Sequence, residues 1–190
     1  YSSCYYPTPE TSLAEAEEAM LAITCERADL VDGQQILELG CGWGSLTLWM
    51  AEQYPNSRIT ALSNSGSQRL FIEDRARSTG LTNVDVVTSD INDFAPTDTY
   101  DRILSVEMFE HLRNWPLMFS RLATWMRPQG RAFLHVFCHK EQPYLFEDRS
   151  QADWMARYFF TGGMMPSDDL PHHIAGPLEV ERQWQVNGSH

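Results

Sequence analysis

Glu38-Leu39-Gly40-Cys41-Gly42-Trp43-Gly44 decides how this chain is read. Glycines at alternate positions let the backbone turn sharply and approach a ligand closely, because they enter left-handed conformations without a Cβ penalty. Before this stretch, Gln35 to Leu39 is a short apolar strand; after it, Ser45 to Gln53 has helical spacing and offers free amides at its start. Strand, glycine turn and helix together open a nucleotide-binding βαβ unit. A dinucleotide fingerprint needs a sixth-position glycine, where this chain has Ser45. It also needs an acid after the next strand, where Leu62 is followed by Ser63 and Asn64. A dehydrogenase therefore fits poorly, and a tight structural turn in another α/β protein is the plainer alternative.

Working outward, Ser12-Leu13-Ala14-Glu15 has the spacing of a capping box, and Leu13, Ala16, Met20 and Ile23 continue it as a helix to about Ala28. Asp32-Gly33 is a turn. Arg58 to Leu62 is a second strand, and Ser65 to Gln68 starts a helix to about Thr79 that Gly80 terminates. Val84 to Thr88, Ile103 to Val106 and Ala132 to Phe137 read as further strands. Leu117 to Met126 reads as a helix stopped by Arg127-Pro128-Gln129-Gly130. Beyond Lys140 the pattern weakens, to a helix over Gln151 to Phe160 and an edge strand within Leu178 to Val186. Strands separated by helices predict an α/β fold with a mainly parallel sheet and helices on both faces.

The chain has 190 residues, with 26 Asp and Glu against 14 Lys and Arg, for a net charge of −12. Nucleic acid is excluded as a partner, since phosphate binding draws on clustered cations and here the basic residues are scattered. A hydrophobic content of 43% suits one folded domain that buries roughly 70% of its unfolded surface. Cys4, Cys25, Cys41 and Cys138 show neither zinc spacing nor a disulfide framework, which points to a reducing, cytoplasmic setting. No apolar run approaches the ~20 residues of a membrane span, so stable membrane insertion is not expected. A start at Tyr1 and a finish at Asn187-Gly188-Ser189-His190 suggest a chain incomplete at both ends.

The E-x-G-x-G-x-G pattern resembles the first motif of class I S-adenosylmethionine methyltransferases. Four more segments narrow the likeness: Tyr1-Ser2-Ser3-Cys4-Tyr5-Tyr6, Ser63-Asn64-Ser65-Gly66-Ser67-Gln68, Val106-Glu107-Met108-Phe109-Glu110-His111 and Phe159-Phe160-Thr161-Gly162-Gly163. They resemble the cyclopropane-fatty-acyl-phospholipid synthase superfamily, and within it the coclaurine-type N-methyltransferase branch. The resemblance implies a Rossmann-like methyltransferase fold using S-adenosyl-L-methionine. In it, Gly40, Gly42 and Gly44 face the cofactor and Tyr1 and Ser2 close over it. Ser63, Asn64 and Gln68 take the ribose role, Asp90 and Ile91 sit by the adenine, and Val106 is a further cofactor-binding residue. Asp90 as a turn cap is an equally good reading of the residue alone.

Glu107, Glu110 and His111 follow a strand directly. If the chain turns helical there, spacings of three and four place all three on one face. A methyl acceptor must present a lone pair, which an ammonium lacks. A carboxylate that holds the cationic amine and a histidine that takes its proton would meet both needs. Without the likeness, two acids complementing a helix dipole beside a solvated histidine is the better reading. The resemblance further implies that lipid cyclopropane synthases carry Gly where this chain has Glu107, and Cys where it has Ser3, while Glu110 and His135 are kept. The acidic balance also suits a cationic amine better than an anionic membrane.

His135, Tyr144 and Phe159 are the expected substrate-pocket residues. Trp154, Tyr158, Phe159 and Phe160 form either an aromatic wall for an organic cation or core, with core favoured for at least half. Cys138-His139 and His172-His173 near Asp168-Asp169 match no common metal-ligand spacing, so no metal is expected. The sequence thus predicts one methyltransferase domain over 1–190. Residues 1–30 would cover the cofactor, 31–140 would bind it, and 141–190 would roof the substrate. The expected reaction is methyl transfer to the nitrogen of a small amine, and a homodimer is compatible with it. The alternatives are cyclopropane-type modification of an unsaturated phospholipid and a non-catalytic nucleotide-binding module.

Overall fold

A computed structural model describes residues 4–149, 153–174 and 176–186. The elements run α1 (Leu13–Arg27), β1 (Gln35–Leu39), α2 (Ser45–Gln53), β2 (Arg58–Ser63), α3 (Gly66–Thr79), β3 (Val84–Thr88) and β4 (Tyr100–Val106). After a one-turn 3₁₀ helix at Phe109–His111 come α4 (Trp115–Trp125), β5 (Met126–His135), β6 (Tyr144–Leu145), α5 (Trp154–Tyr158), β7 (Met164–Met165) and α6 (Leu170–His173). The described residues form two compact units, one within Tyr1–Ser105, Trp125–Phe133 and Trp184–His190, the other within Val106–Thr124 and Leu134–Gln183.

The five-stranded sheet has the order β3-β2-β1-β4-β5. β1 pairs parallel with both β2 and β4, and β2 pairs parallel with β3. Ile36, Leu37, Leu39, Ile59, Ala61, Leu62, Ile103 and Leu104 are all buried, the near-continuous apolar run of strands covered on both faces. Each large side chain among them contributes roughly 1.5–3 kcal/mol of burial. The strand order reverses between β1 and β4, and the crevice beyond the carboxyl ends at that switch is where open α/β sheets take ligands.

Local chemistry sets the boundaries. Ser12 caps α1 through a reciprocal box: its Oγ accepts from the Glu15 amide at 3.4 Å and its own amide donates to the Glu15 carboxylate at 2.8 Å. The buried stripe of α1 is Ala16, Met20, Thr24 and Cys25; Leu13, expected on it, is 59% exposed. Asp32 Oδ1 accepts from the amides of Gly33, Asn56 and Ser57, and its Oδ2 accepts from Asn56 Nδ2 at 2.6 Å. That turn clamps the entrances of β1 and β2 together. Gly80 ends α3 in the left-handed region at φ 75°.

Three expectations need correcting. Arg127-Pro128-Gln129-Gly130 lies inside β5 rather than breaking the chain before it; β5 is the sheet's edge, where a proline's missing N–H leaves no ladder bond unmade. The helix expected from Gln151 covers only Trp154–Tyr158, residues 150–152 being outside the described ones. No strand forms over the described residues 178–186. No helix among the described residues is long and apolar enough to cross a membrane.

Candidate functional site

The glycine loop belongs to the first unit. Gly40, Gly42 and Gly44 adopt φ values of 77°, 54° and 85°, conformations that L side chains rarely enter. The amides of Gly40 and Cys41 both donate to the Leu62 carbonyl at 3.0 Å, fixing the loop to the end of β2. A Cβ at Gly42 would meet nothing within 4 Å, so the loop is open there. A Cβ at Gly44 would lie 2.6 Å from Ile72 Cγ1, so that glycine admits the packing of α3. Gly44 caps α2 without a side-chain bond, leaving the first amides of a nine-residue helix uncapped by any side chain. Open backbone and uncapped amides fit a ligand with polar or anionic groups.

Below the loop, sequence reasoning gave Glu38 no role. It is buried, and its Oε2 accepts from Thr47 Oγ1 at 2.5 Å, tying β1 to α2. Burial pushes its carboxyl up to about 8, with the Thr47 bond opposing the rise.

The pairings Leu39↔Leu62 and Ser63↔Thr88 bring Gly40, Ser63 and Asp90 to one edge of the sheet. Ser63 is buried, donates to Gln68 Oε1 at 2.6 Å and accepts from the Ser65 amide, so it orients Gln68. Asn64 is exposed beside them, and Ile91 is half-buried. Asp90 Oδ1 accepts from the Asn92 amide at 2.7 Å and from Asn92 Nδ2 at 2.9 Å, the bonds of a turn cap. Val106 ends β4, one residue beyond the Leu39↔Ser105 pair. Tyr1 and Ser2, together with Ser3, lie outside the described residues.

The acidic cluster belongs to the second unit. Glu107, Glu110 and His111 do not share a helical face: Glu107 has φ 50°, and only Phe109–His111 form a 3₁₀ turn. The Glu107 amide donates to the His135 carbonyl at 2.8 Å, bringing those two positions together. Phe109 is fully buried against Trp115, the rings meeting edge to face at 5.2 Å, and Trp115 Nε1 donates to the Phe109 carbonyl at 3.1 Å. That indole ties the turn to the start of α4.

Glu110 is 0% exposed. Its Oε1 accepts from the Phe137 amide at 2.9 Å, while its Oε2 has no hydrogen-bond partner among the described residues. Burial raises its carboxyl to about 7; the Phe137 amide opposes the rise and the Glu107 charge adds to it. His111 is exposed overall, but its ring lies 4.8 Å from Phe160, and this partial desolvation lowers it below the ordinary 6.5. A buried acid pushed up beside a histidine pushed down is an arrangement suited to moving protons near neutral pH.

Tyr144 and Phe159 are both about half exposed. Of the four aromatics, expected to be core in at least half of cases, Trp154, Tyr158 and Phe159 are exposed instead and only Phe160 packs inward, against Phe137 at 5.2 Å and Phe146 at 5.0 Å. His139 Nδ1 accepts from the amides of Glu141 and Gln142, His172 bonds Gln183, and His173 pairs with Asp169.

Residues 1–175 match the mycolic acid cyclopropane synthetase family. An (S)-coclaurine N-methyltransferase of Thalictrum flavum subsp. glaucum is 43% identical over 191 residues, spanning 100% of this chain and 53% of that protein. The cyclopropane-fatty-acyl-phospholipid synthase of Escherichia coli (strain K12) is 31% identical over 189 residues, spanning 98% of this chain and 47% of that protein. The crystal structure of coclaurine N-methyltransferase bound to N-methylheliamine and SAH matches at a TM-score of 0.93 and 40% identity, covering 100% of this chain and 57% of that one. A mycolic acid cyclopropane synthase complexed with SAH and CTAB shares the fold at a TM-score of 0.73 and 21% identity, covering 92% of this chain and 64% of that one. The chain spans about half the length of the curated relatives it matches. With the Rossmann-like sheet, the glycine loop and this match over residues 1–175, the chain belongs to the mycolic acid cyclopropane synthetase family.

Proposed function

We propose that the protein transfers a methyl group from S-adenosyl-L-methionine to the nitrogen of a small amine, in a cytoplasmic setting. The likeness to (S)-coclaurine N-methyltransferase along the whole chain supports this reading. The observation that carries it is Glu107: a carboxylate on a left-handed backbone, where glycine would be less strained by about 1–2 kcal/mol. A charge retained against that strain needs a use, and holding a cationic amine supplies one.

The open backbone at Gly42 and the uncapped start of α2 are the residues that would hold the cofactor, with Ser63, Asn64, Gln68, Asp90 and Ile91 along the same edge. The cofactor supplies an electrophilic methyl on a sulfonium. The chain's own work concerns the amine and its proton. Glu107 attracts and orients the ammonium. His111, held below the ordinary imidazole value, is neutral at pH 7 and can take the proton at a ring nitrogen. Glu110, at about 7, can receive or return it at Oε2. Acid–base assistance of this kind is worth about 10²–10⁴-fold. The exposed rings of Tyr144 and Phe159 offer apolar faces to an aromatic amine.

The test is incubation with methyl-labelled cofactor and a panel of aromatic secondary and tertiary amines, (S)-coclaurine among them, beside vesicles of unsaturated phospholipid. A labelled N-methyl product is expected. Label in the acyl chains would support the lipid reading instead, and cofactor binding without turnover would support a non-catalytic module. Glu107→Gly should match or exceed the parent in Tm, because it removes backbone strain, yet lose about 10- to 100-fold in amine turnover. Undiminished amine turnover in that variant would refute the assignment of Glu107.

A further inference from the structure

Two adjacent glycines in the second unit do different jobs. Gly162 has φ 84°, and a Cβ there would meet nothing within 4 Å, so it serves the backbone turn alone. Gly163 is buried and has no such φ, so its backbone would accept any residue. What excludes a side chain at Gly163 is space: a Cβ would lie 1.9 Å from the Glu110 carbonyl oxygen and 3.0 Å from His111 Cα. The backbone of Gly163 therefore lies directly against the backbone that carries Glu110 and His111.

The turn that presents Gly163 is tied on several sides. Its amide donates to the Phe160 carbonyl at 2.8 Å, its carbonyl accepts from the Phe146 amide at 3.0 Å, and Thr161 Oγ1 donates to the Ala156 carbonyl of α5 at 3.0 Å. Phe160, at the start of the turn, lays its ring against His111 and against Phe137, whose amide holds Glu110 Oε1. One turn thus reaches the Glu110 backbone through Gly163, the His111 ring through Phe160, and the residue holding the Glu110 carboxyl through Phe137.

We propose that Phe160–Gly163 is a positioning clamp: Gly163 sets the depth of the Glu110–His111 backbone by its lack of a side chain, and Phe160 braces the His111 ring, which is otherwise exposed. For its catalytic consequence this rests on the acid–base reading of Glu110 and His111, but the clamp itself acts without substrate. The titratable groups bearing on Glu110 are Glu107 and Cys138, and His111 is governed by desolvation.

The experiment follows the imidazole signal of His111 by NMR across pH in the parent protein, Gly162→Ala and Gly163→Ala, with His111→Gln to assign the signal. Gly162→Ala strains the same turn without touching Glu110, so the His111 midpoint should stay in place. Gly163→Ala should return that midpoint toward 6.5 and reduce kcat by about 10²-fold, as a displacement near 1 Å does, with cofactor affinity unchanged. A folded Gly163→Ala protein with parental midpoint and kcat overturns the proposal. If Gly163→Ala does not fold, Phe160→Leu decides: the midpoint should rise, and an unmoved one overturns the clamp. Should the parent methylate no amine, the N-methyltransferase reading fails while the titrations still judge the clamp.

Discussion

Replacing Glu110 with Gln should stabilise the fold at alkaline pH while removing activity. The carboxyl titrates at about 7 in the folded protein against an ordinary value of 4.5. The native state therefore binds this proton more tightly than the unfolded chain does. Its contribution is complete below pH 4.5, is lost as pH rises through about 7, and is then absent. At about 1.4 kcal/mol per pH unit, the loss totals about 3 kcal/mol. Gln keeps an oxygen for the Phe137 amide at the same position, but has no charge to develop. The assay is urea unfolding of parent and Glu110→Gln from pH 5 to pH 8.5. Glu38 and the other groups that do not interact with Glu110 are common to both, so they cancel in the difference; Glu107 and Cys138, which do, stay within the coupling being measured. Between pH 5 and pH 8.5 the variant's advantage should grow by about 2.5 kcal/mol, a midpoint separation of about 1.3 M urea for an m-value near 2 kcal/mol/M. Amine turnover should fall by about 10²–10⁴-fold in the same protein. A stability difference that stays flat across this range, or grows in the opposite direction, would show that Glu110 is not buried against its charge.

The glycine loop and the acid beneath it give two further tests. Gly44→Ala should lose about 2–4 kcal/mol, from left-handed strain and from driving a methyl into Ile72, and the double variant with Ile72→Ala, which removes the clashing γ and δ carbons, should lose less in urea unfolding than the two single losses added together. Thr47→Val should lose about 1–3 kcal/mol by withdrawing the donor from buried Glu38. That loss should be larger at pH 9 than at pH 6, because the hydroxyl supports the ionised form of a carboxyl that titrates at about 8.

Where local rules and tertiary demand agreed, the sequence was readable to the residue. β1 at Gln35–Leu39, α2 at Ser45–Gln53 and β3 at Val84–Thr88 follow from apolar runs bounded by turn residues, and α3 ends where Gly80 says it must. The candidate site divides on the same line. The glycine loop is a local pattern and was visible. The partners of Glu110 were not, since Phe137 and Gly163 lie 27 and 53 residues further along, and no spacing rule near Glu110 points to either. Helical spacing misled at Glu107, where a positive φ that propensity disfavours is held by the bond to His135. Gly162 and Gly163 stand side by side in one motif, yet only the fold separates a glycine needed for its dihedral from one needed for its lack of a side chain.

The Asp32 turn has a kinetic side. Among the sheet's parallel pairings, Gln35↔Arg58 and Ile59↔Val84 close short crossovers, whereas Ile36↔Arg102 spans a far longer stretch of chain. Closing a loop of roughly 25 residues costs about 3 kcal/mol of chain entropy before any strand contact offsets it. Asp32 gathers the Gly33, Asn56 and Ser57 amides at the mouth of the first of these loops, so the ends of that crossover are joined by one side chain before the ladder begins. The most central strand of the sheet thereby acquires its first neighbour at the lowest entropic barrier available, and the glycine loop that follows β1 is shaped early, ahead of the long closure that brings in β4.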